Sequence, residues 1–169
     1  MECVMLCGIP TSGKSTFVER LLKTDYWKNC VVLSTDYYID YYAKKLGKTY
    51  NEVFDDYIDE ATQSMNKCLV HAIENNKNII WDQTNLGVKS RRKKLNKLPS
   101  YCHRGAIYFE VPLEEAMERN EHREGKFIPK SILHRMYHQF EIPTVVEGFD
   151  YVECGTEEVL RLRSRWHYL

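Results

Sequence analysis

Gly8-Ile9-Pro10-Thr11-Ser12-Gly13-Lys14-Ser15-Thr16 reads GIPTSGKST and fits G-x-x-x-x-G-K-[ST] at every position. Cys3-Val4-Met5-Leu6-Cys7, just before it, is a short apolar run of strand type. Phe17, Val18, Leu21 and Leu22, just after it, recur at helical spacing. A strand, this loop and a helix in that order make a phosphate cradle. Gly8 and Gly13 permit backbone angles closed to other residues. The loop amides and the positive end of the next helix then face an anion. Lys14 can reach the β- and γ-phosphates of a nucleotide, and the Ser15 hydroxyl suits Mg²⁺. Gly8, Pro10, Thr11, Ser12, Gly13, Lys14, Ser15 and Thr16 are therefore the candidate phosphate-binding residues. The alternative is a glycine turn ahead of an ordinary helix.

The remainder of the chain suits a nucleotide-binding α/β fold. Its 169 residues are enough for one domain, 1–169, with a real core. Acidic and basic residues balance at 24 each, so any nucleic-acid contact must come from a local basic patch. No apolar run is long enough to span a membrane, and no basic region of signal-peptide type precedes the first strand. Six cysteines, at 3, 7, 30, 68, 102 and 154, include no C-x-x-C pair. These features fit a reduced, cytoplasmic protein.

Further along, Cys30-Val31-Val32-Leu33-Ser34 reads as a buried strand, followed by Thr35 and Asp36. Asp36 thus falls at the carboxyl end of a strand, the edge where open α/β sheets place ligands. It is a candidate catalytic carboxylate or Mg²⁺ ligand, or else the N-cap of the helix read over 37–46. Apolar residues from Val53 to Ile73 recur at three- and four-residue intervals and predict a long core-facing helix over 50–74. Asn78-Ile79-Ile80-Trp81-Asp82 is a third strand that also ends in an acid, with Gln83-Thr84-Asn85 keeping the strand end polar. Lys89, Arg91, Arg92, Lys93 and Lys94 form the one dense basic cluster, either a grip on nucleic-acid phosphates or a solvated helix face. Residues 105–111 read as a fourth strand, and Pro112 opens a helix that carries Arg119 and Arg123 four apart on one face. An arginine pair running into Glu124-Gly125-Lys126 has the makeup of a phosphate lid over 119–129; the plain alternative is an exposed pair bridging to Glu115 or Glu118. A helix over 130–140 and a last strand over 151–154 complete the pattern. It predicts a P-loop kinase fold of three α/β/α layers, with a mainly parallel sheet of about five strands.

Four blocks resemble the 5′-polynucleotide kinases, P-loop kinases of the AAA_33 type that include the bacteriophage enzyme and the kinase domain of the mammalian repair enzyme. GIPTSGKST is similar to that family's P-loop, and Ser34-Thr35-Asp36-Tyr37 takes the place of its N-R-D motif. Asp82-Gln83-Thr84-Asn85 is similar to its D-x-T-N motif, and Arg119 through Pro129 to its lid. Gln139-Phe140-Glu141-Ile142-Pro143-Thr144 with Glu147-Gly148-Phe149 resembles the QFE-x-PT…EGF run of the mammalian domain. The overall likeness is greatest to small, phage-encoded, stand-alone members. The resemblance implies ATP- and Mg²⁺-dependent transfer to the 5′-hydroxyl of DNA or RNA, with Asp36 as general base. Lys14 would hold the ATP phosphates and Ser15 the Mg²⁺. Arg123, with Arg119, would steady the transferring phosphoryl group, and Asp82, Thr84 and Asn85 would lie beside the acceptor. Two arginines of the phage pattern are missing: Thr35 precedes Asp36, and Tyr37, Tyr38 and Ile39 follow it. Arg91 or Arg92 is the candidate replacement. No D-x-D-G-T phosphatase motif is present, so only the kinase half is expected.

Two other functions compete. A P-loop kinase for a small hydroxyl acceptor, such as a sugar, nucleoside or antibiotic, would share Lys14, Asp36 and Arg123 without needing the basic cluster. A nucleotide-dependent switch would need N-K-x-D and D-x-x-G, and the chain has neither.

Overall fold

The computed structural model describes residues 1–164; residues 165–169 lie outside the described residues. Five parallel strands form one sheet in the order β2-β3-β1-β4-β5. They are β1 (Glu2–Cys7), β2 (Val31–Leu33), β3 (Ile79–Asp82), β4 (His103–Tyr108) and β5 (Tyr151–Cys154). Helices α1 (Lys14–Leu21), α2 (Thr35–Leu46), α3 (Tyr50–Glu74), α4 (Val88–Leu95), α5 (Leu113–Glu121), α6 (Lys130–Gln139) and α7 (Glu157–Ser164) connect or follow them.

Strand β1 is apolar without alternation because both of its faces are covered, as parallel strands require. Successive side chains still point to opposite faces. Cys3, Met5 and Cys7 pack with Met65, Leu69 and Ala72 of α3 and with Leu95 of α4. Val4 and Leu6 pack on the other side with Phe17, Val18 and Leu21 of α1 and Leu160 of α7. This is the three-layer α/β/α arrangement predicted. Helices α2 and α3 form a hairpin with its own apolar seam of Ile39, Ala43, Val53 and Ala61. The turn of the hairpin uses Gly47 at φ 63° and a capping box in which Thr49 and Glu52 satisfy each other's end of α3.

Strand β1 lies mid-sheet. The chain first builds on one side of it, at β2 and β3, and then crosses to the other, at β4 and β5. That reversal opens a crevice at the carboxyl end of β1. Register puts Asp82 abreast of Leu6, two residues before the glycine loop. Behind the crevice, Arg91 on α4 is fully buried and forms a bidentate ion pair with Glu147, at 2.7 and 2.8 Å. Its remaining nitrogen donates to the carbonyls of Asn85, Leu86 and Glu141. One guanidinium thus ties the loop after β3 to the 141–147 segment. Removing it leaves the buried Glu147 carboxylate without its counter-charge, with only the Thr144 N–H still donating to it at 3.0 Å among the described residues. Arg91→Met is expected to lower stability by about 3–5 kcal/mol. Urea unfolding measures this; a loss under about 1 kcal/mol would mean that water reaches Glu147.

Candidate active site

The glycine loop follows β1 and ends at the start of α1. Gly13, at φ 100°, takes the N-cap position in the left-handed region, and no side chain caps the helix. The first bond of α1 runs from Phe17 N–H to Gly13 C=O, so the amides of residues 14–16 are left facing the crevice. At Gly8, a Cβ would fall 2.8 Å from Ser12 Oγ and 3.0 Å from Phe109 O, so the loop is too tight there for any side chain. Thr11 adopts φ 69° and is held by its hydroxyl, which donates to Ala116 O at 3.0 Å. This is a loop held in shape by its surroundings, with the amides of residues 14–16 at its end free of backbone partners among the described residues, which is what a phosphate group requires.

Lys14 is only 8% exposed. Its Nζ donates to Gly8 O (2.8 Å), Ile9 O (2.6 Å) and Ser12 Oγ (3.3 Å). Burial lowers its pKa to about 8; Asp82, Cys7 and Asp36 resist the shift, and Arg123 adds to it. Burial likewise raises the Asp82 carboxyl above its ordinary value, with Lys14 opposing and Asp36 reinforcing. Lys14, Asp82, Asp36 and Arg123 therefore share one electrostatic field. Ser15 is exposed at the helix start. Its hydroxyl and the Asp82 carboxylate are hard oxygen donors of the kind that suit Mg²⁺, which takes one or two carboxylates and completes its shell with phosphate and water. Among the described residues no cluster of three or more His, Cys, Asp or Glu side chains forms a metal cage.

Asp36 is exposed on the first turn of α2, directly above β2. The cap of α2 is Ser34, whose hydroxyl accepts from Asp36 N–H at 3.2 Å, so the N-cap reading of Asp36 does not hold. The Asp36 carboxylate instead accepts from the Tyr50 hydroxyl at 2.8 Å. Burial first, and then the charge of Asp36, raises the Tyr50 pKa, which keeps the phenol a donor. Nothing in the sequence singles out Tyr50. It lies fourteen residues from Asp36, and only the hairpin brings them together.

The arginine pair departs from expectation. Helix α5 ends at Glu121, so Arg119 and Arg123 do not share a helical face. Pro112 is the N-cap of α5, one place before its first turn. Arg119 ion-pairs with Glu115 and donates to Thr11 O at 3.0 Å, bracing the glycine loop. Arg123 lies in the connection to α6, and its guanidinium makes no hydrogen bond or ion pair among the described residues. The same connection is latched to α2 and α3. Lys126 pairs with Asp40 at 2.5 Å and lies 4.7 Å over the Tyr50 ring, while Asn51 holds Gly125 O and Phe127 O.

The D-Q-T-N block divides. Thr84 accepts from Gly8 N–H through its carbonyl at 2.9 Å, joining this block to the glycine loop. Asn85 points inward. It is 2% exposed, adopts φ 46°, and donates to Leu6 O at 2.6 Å. It supports the loops from below and does not face an acceptor. The basic cluster divides too. Arg91 is the internal staple described above. Lys94 is turned onto Gln83 Oε1 and Asn85 Oδ1, and burial lowers its pKa to about 8. Lys89, Arg92 and Lys93 remain exposed around a hollow of about 510 Å³ beside Glu141.

Fold and loop together define a P-loop kinase-type domain. A family model described as "AAA_33: AAA domain" matches residues 3–143, and the chain belongs to that family. L-seryl-tRNA(Sec) kinase of Methanococcus maripaludis is 29% identical over 87% of this chain and 55% of its own length. The bifunctional polynucleotide phosphatase/kinase of Schizosaccharomyces pombe is 25% identical over 99% of this chain and 36% of its own length. The chain thus spans about half or less of these relatives. Shikimate kinase from Acinetobacter baumannii shares the fold at a TM-score of 0.56, with 15% identity over 98% of this chain and 89% of that one. Among the described residues, no helix is long and apolar enough to cross a membrane.

An anion beside Lys14 restores the charged form that burial disfavours. Between the free value of about 8 and the ordinary lysine value, binding must therefore take up a proton. Calorimetry of inorganic triphosphate binding at about pH 8.5, in two buffers of different ionisation enthalpy, is expected to show uptake that vanishes below about pH 7. Lys14→Met is expected to abolish it. Uptake that persists in this variant would place the titrating group elsewhere.

Proposed function

We propose that this chain transfers the γ-phosphate of ATP, with Mg²⁺, to the 5′-hydroxyl of a polynucleotide. The observation that carries the reading is Asp36, an exposed carboxylate held by Tyr50 at the sheet edge and electrostatically linked to Lys14 and Asp82. Membership of a P-loop family supports ATP as the donor. The nucleic-acid acceptor draws support from two relatives, whose names specify a kinase acting on an aminoacyl-tRNA and a polynucleotide kinase. In this reading residues 1–169 are one kinase domain with its lid over roughly 119–129, working in the cytoplasm of the cell or of a phage-infected host.

Each residue has a defined task. Lys14 and the amides at the start of α1 hold the phosphate chain in line. The Ser15 hydroxyl and the Asp82 carboxylate would hold Mg²⁺, which would supply charge neutralisation at the phosphates. Asp36 accepts the proton of the acceptor hydroxyl as its oxygen bonds to the γ-phosphorus and the bond to the bridging oxygen breaks. Arg123, whose guanidinium is uncommitted among the described residues and lies within the field of Lys14, offsets charge on the transferring group. Thr84 lines the acceptor side, and Arg119 keeps the loop that grips the nucleotide in shape. Arg92, with Lys89 and Lys93, is available to phosphates farther along the strand.

Labelled phosphate transfer onto 5′-hydroxyl oligonucleotides, RNA and DNA in parallel, tests the reaction. Asp36→Asn is expected to lose about 10²–10⁴-fold in rate at unchanged nucleotide affinity. Turnover at the parent rate would remove Asp36 as the base. The Arg92→Ala, Lys93→Ala variant is expected to weaken acceptor binding. It should also reduce the slope of log affinity against log salt by about one for each phosphate no longer neutralised. An unchanged slope would leave α4 a solvated face. A second reading, a small hydroxyl acceptor, has one observation in its favour: tyrosines occupy the positions where the phage enzymes carry an acceptor-binding arginine. Transfer to a nucleoside or sugar, with none to oligonucleotides, would select it.

A further inference from the structure

The tyrosines of α2 fall into two sets. Tyr38 and Tyr42 are consumed by packing: Tyr38 donates to Glu60 at 3.0 Å, and Tyr42 stacks on Tyr57 with ring centres 4.2 Å apart. Tyr37 and Tyr41 are 52% and 59% exposed. Tyr37 makes no hydrogen bond or ring contact among the described residues. It is the neighbour of Asp36 in the first turn of α2, just past the carboxyl end of β2, and its phenol pKa is raised by partial burial and then by Asp82, Glu19 and Asp36. Tyr41 follows one helical turn later, about 6 Å along the axis. Lys45 comes a turn after that, 5.9 Å over the Tyr41 ring, with Lys44 exposed beside it and Lys48 exposed just past the end of α2. A stripe of two exposed tyrosines, the second in edge contact with Tyr42 at 5.3 Å and with Lys45 over its ring, and then three lysines therefore runs away from the candidate base. Burying solvent-exposed phenol faces needs flat apolar partners, and lysines at the far end need anions. A single strand of nucleic acid offers both, because every base has a stacking face and every link a phosphate.

We propose that the exposed face of α2 is the acceptor track: the first base of a single-stranded 5′ end stacks on Tyr37, the second on Tyr41, and the following phosphates meet Lys44, Lys45 and Lys48. This rests on the polynucleotide reading above and specifies it. Stacking then does the work that an arginine beside the catalytic acid does in the phage enzymes, and the acceptor must have unpaired bases to offer.

The test compares acceptor affinity for a 5′-hydroxyl oligonucleotide, the same strand lacking its first base, and the same strand within a flush duplex. Parent protein, Tyr37→Leu and Tyr37→Phe are assayed, with nucleotide affinity reporting that each variant has kept its fold. On the intact strand Tyr37→Leu is expected to lose about 5–150-fold, the range that one stacked base supplies, and Tyr37→Phe to regain it. On the strand lacking its first base, parent and Tyr37→Leu are expected to bind alike. Removing the second base is expected to silence Tyr41→Leu in the same way. Parental affinity in Tyr37→Leu, an equal loss on both strands, or equal parental affinity for the flush duplex would overturn the track while leaving polynucleotide kinase activity standing. A parent that binds ATP but neither binds nor phosphorylates any oligonucleotide would overturn the function itself, and the track with it.

Discussion

A buried ammonium is the constraint on which the site depends. Lys14 is held by the carbonyls of Gly8 and Ile9, which belong to the loop it serves, and its burial weakens its hold on its own proton. Both features have one cause. The loop must be tight enough to aim its amides inward, and that tightness draws the lysine out of water. The position is favourable only if an anion comes to share it. Much of the surrounding structure keeps the loop in that state: Gly8 is hydrogen-bonded to Thr84, Thr11 to Ala116 and Arg119, and the crevice wall carries Asp82 abreast of β1.

A second tier of buried polar groups holds this tier in place. Asn85 fastens the loop after β3 to the end of β1, and Arg91 fastens the same loop to Glu147 and to the carbonyl of Glu141. A buried ion pair adds little net stability over an apolar pair of the same volume, but it fixes directions that an apolar pair leaves loose. Here it fixes the path of two segments far apart in sequence whose positions define the floor of the crevice. The QFE-x-PT…EGF run has its structural meaning in this contact.

The connection between α5 and α6 adds a third tier, of a different character. Among the described residues its contacts with the α2–α3 hairpin are few and mostly exposed: one ion pair, one cation over an aromatic ring, one main-chain hydrogen bond and one from the Asn51 side-chain amide to a main-chain carbonyl. Exposed pairs of this kind contribute little each. The connection between α5 and α6 is therefore tied to the hairpin by weak, partly exposed contacts, whereas the loop and its floor are tied to the sheet by buried charge.

Much of the fold was legible in the sequence because its signals are local. The glycine loop between a strand and a helix, five apolar runs at the right intervals, and acids at the ends of β2 and β3 follow from residue types and spacing alone, and strand ends came within a few residues. The ends of α2 and α5 were less legible, since capping there rests on a single hydroxyl or on none. What only the tertiary structure decided is which polar side chains face the crevice and which support it from behind. Arg91 and Arg92 are adjacent in sequence and identical in chemistry, yet one is buried against Glu147 and the other open to solvent. Asn85 reads as a site residue but turns inward, and Tyr50 reads as ordinary helix but holds Asp36. The reason is physical. Periodicity records burial of apolar surface, whereas the partner of a buried charge or of a hydroxyl is chosen by segments tens of residues away, which meet only when the sheet and its helices have closed.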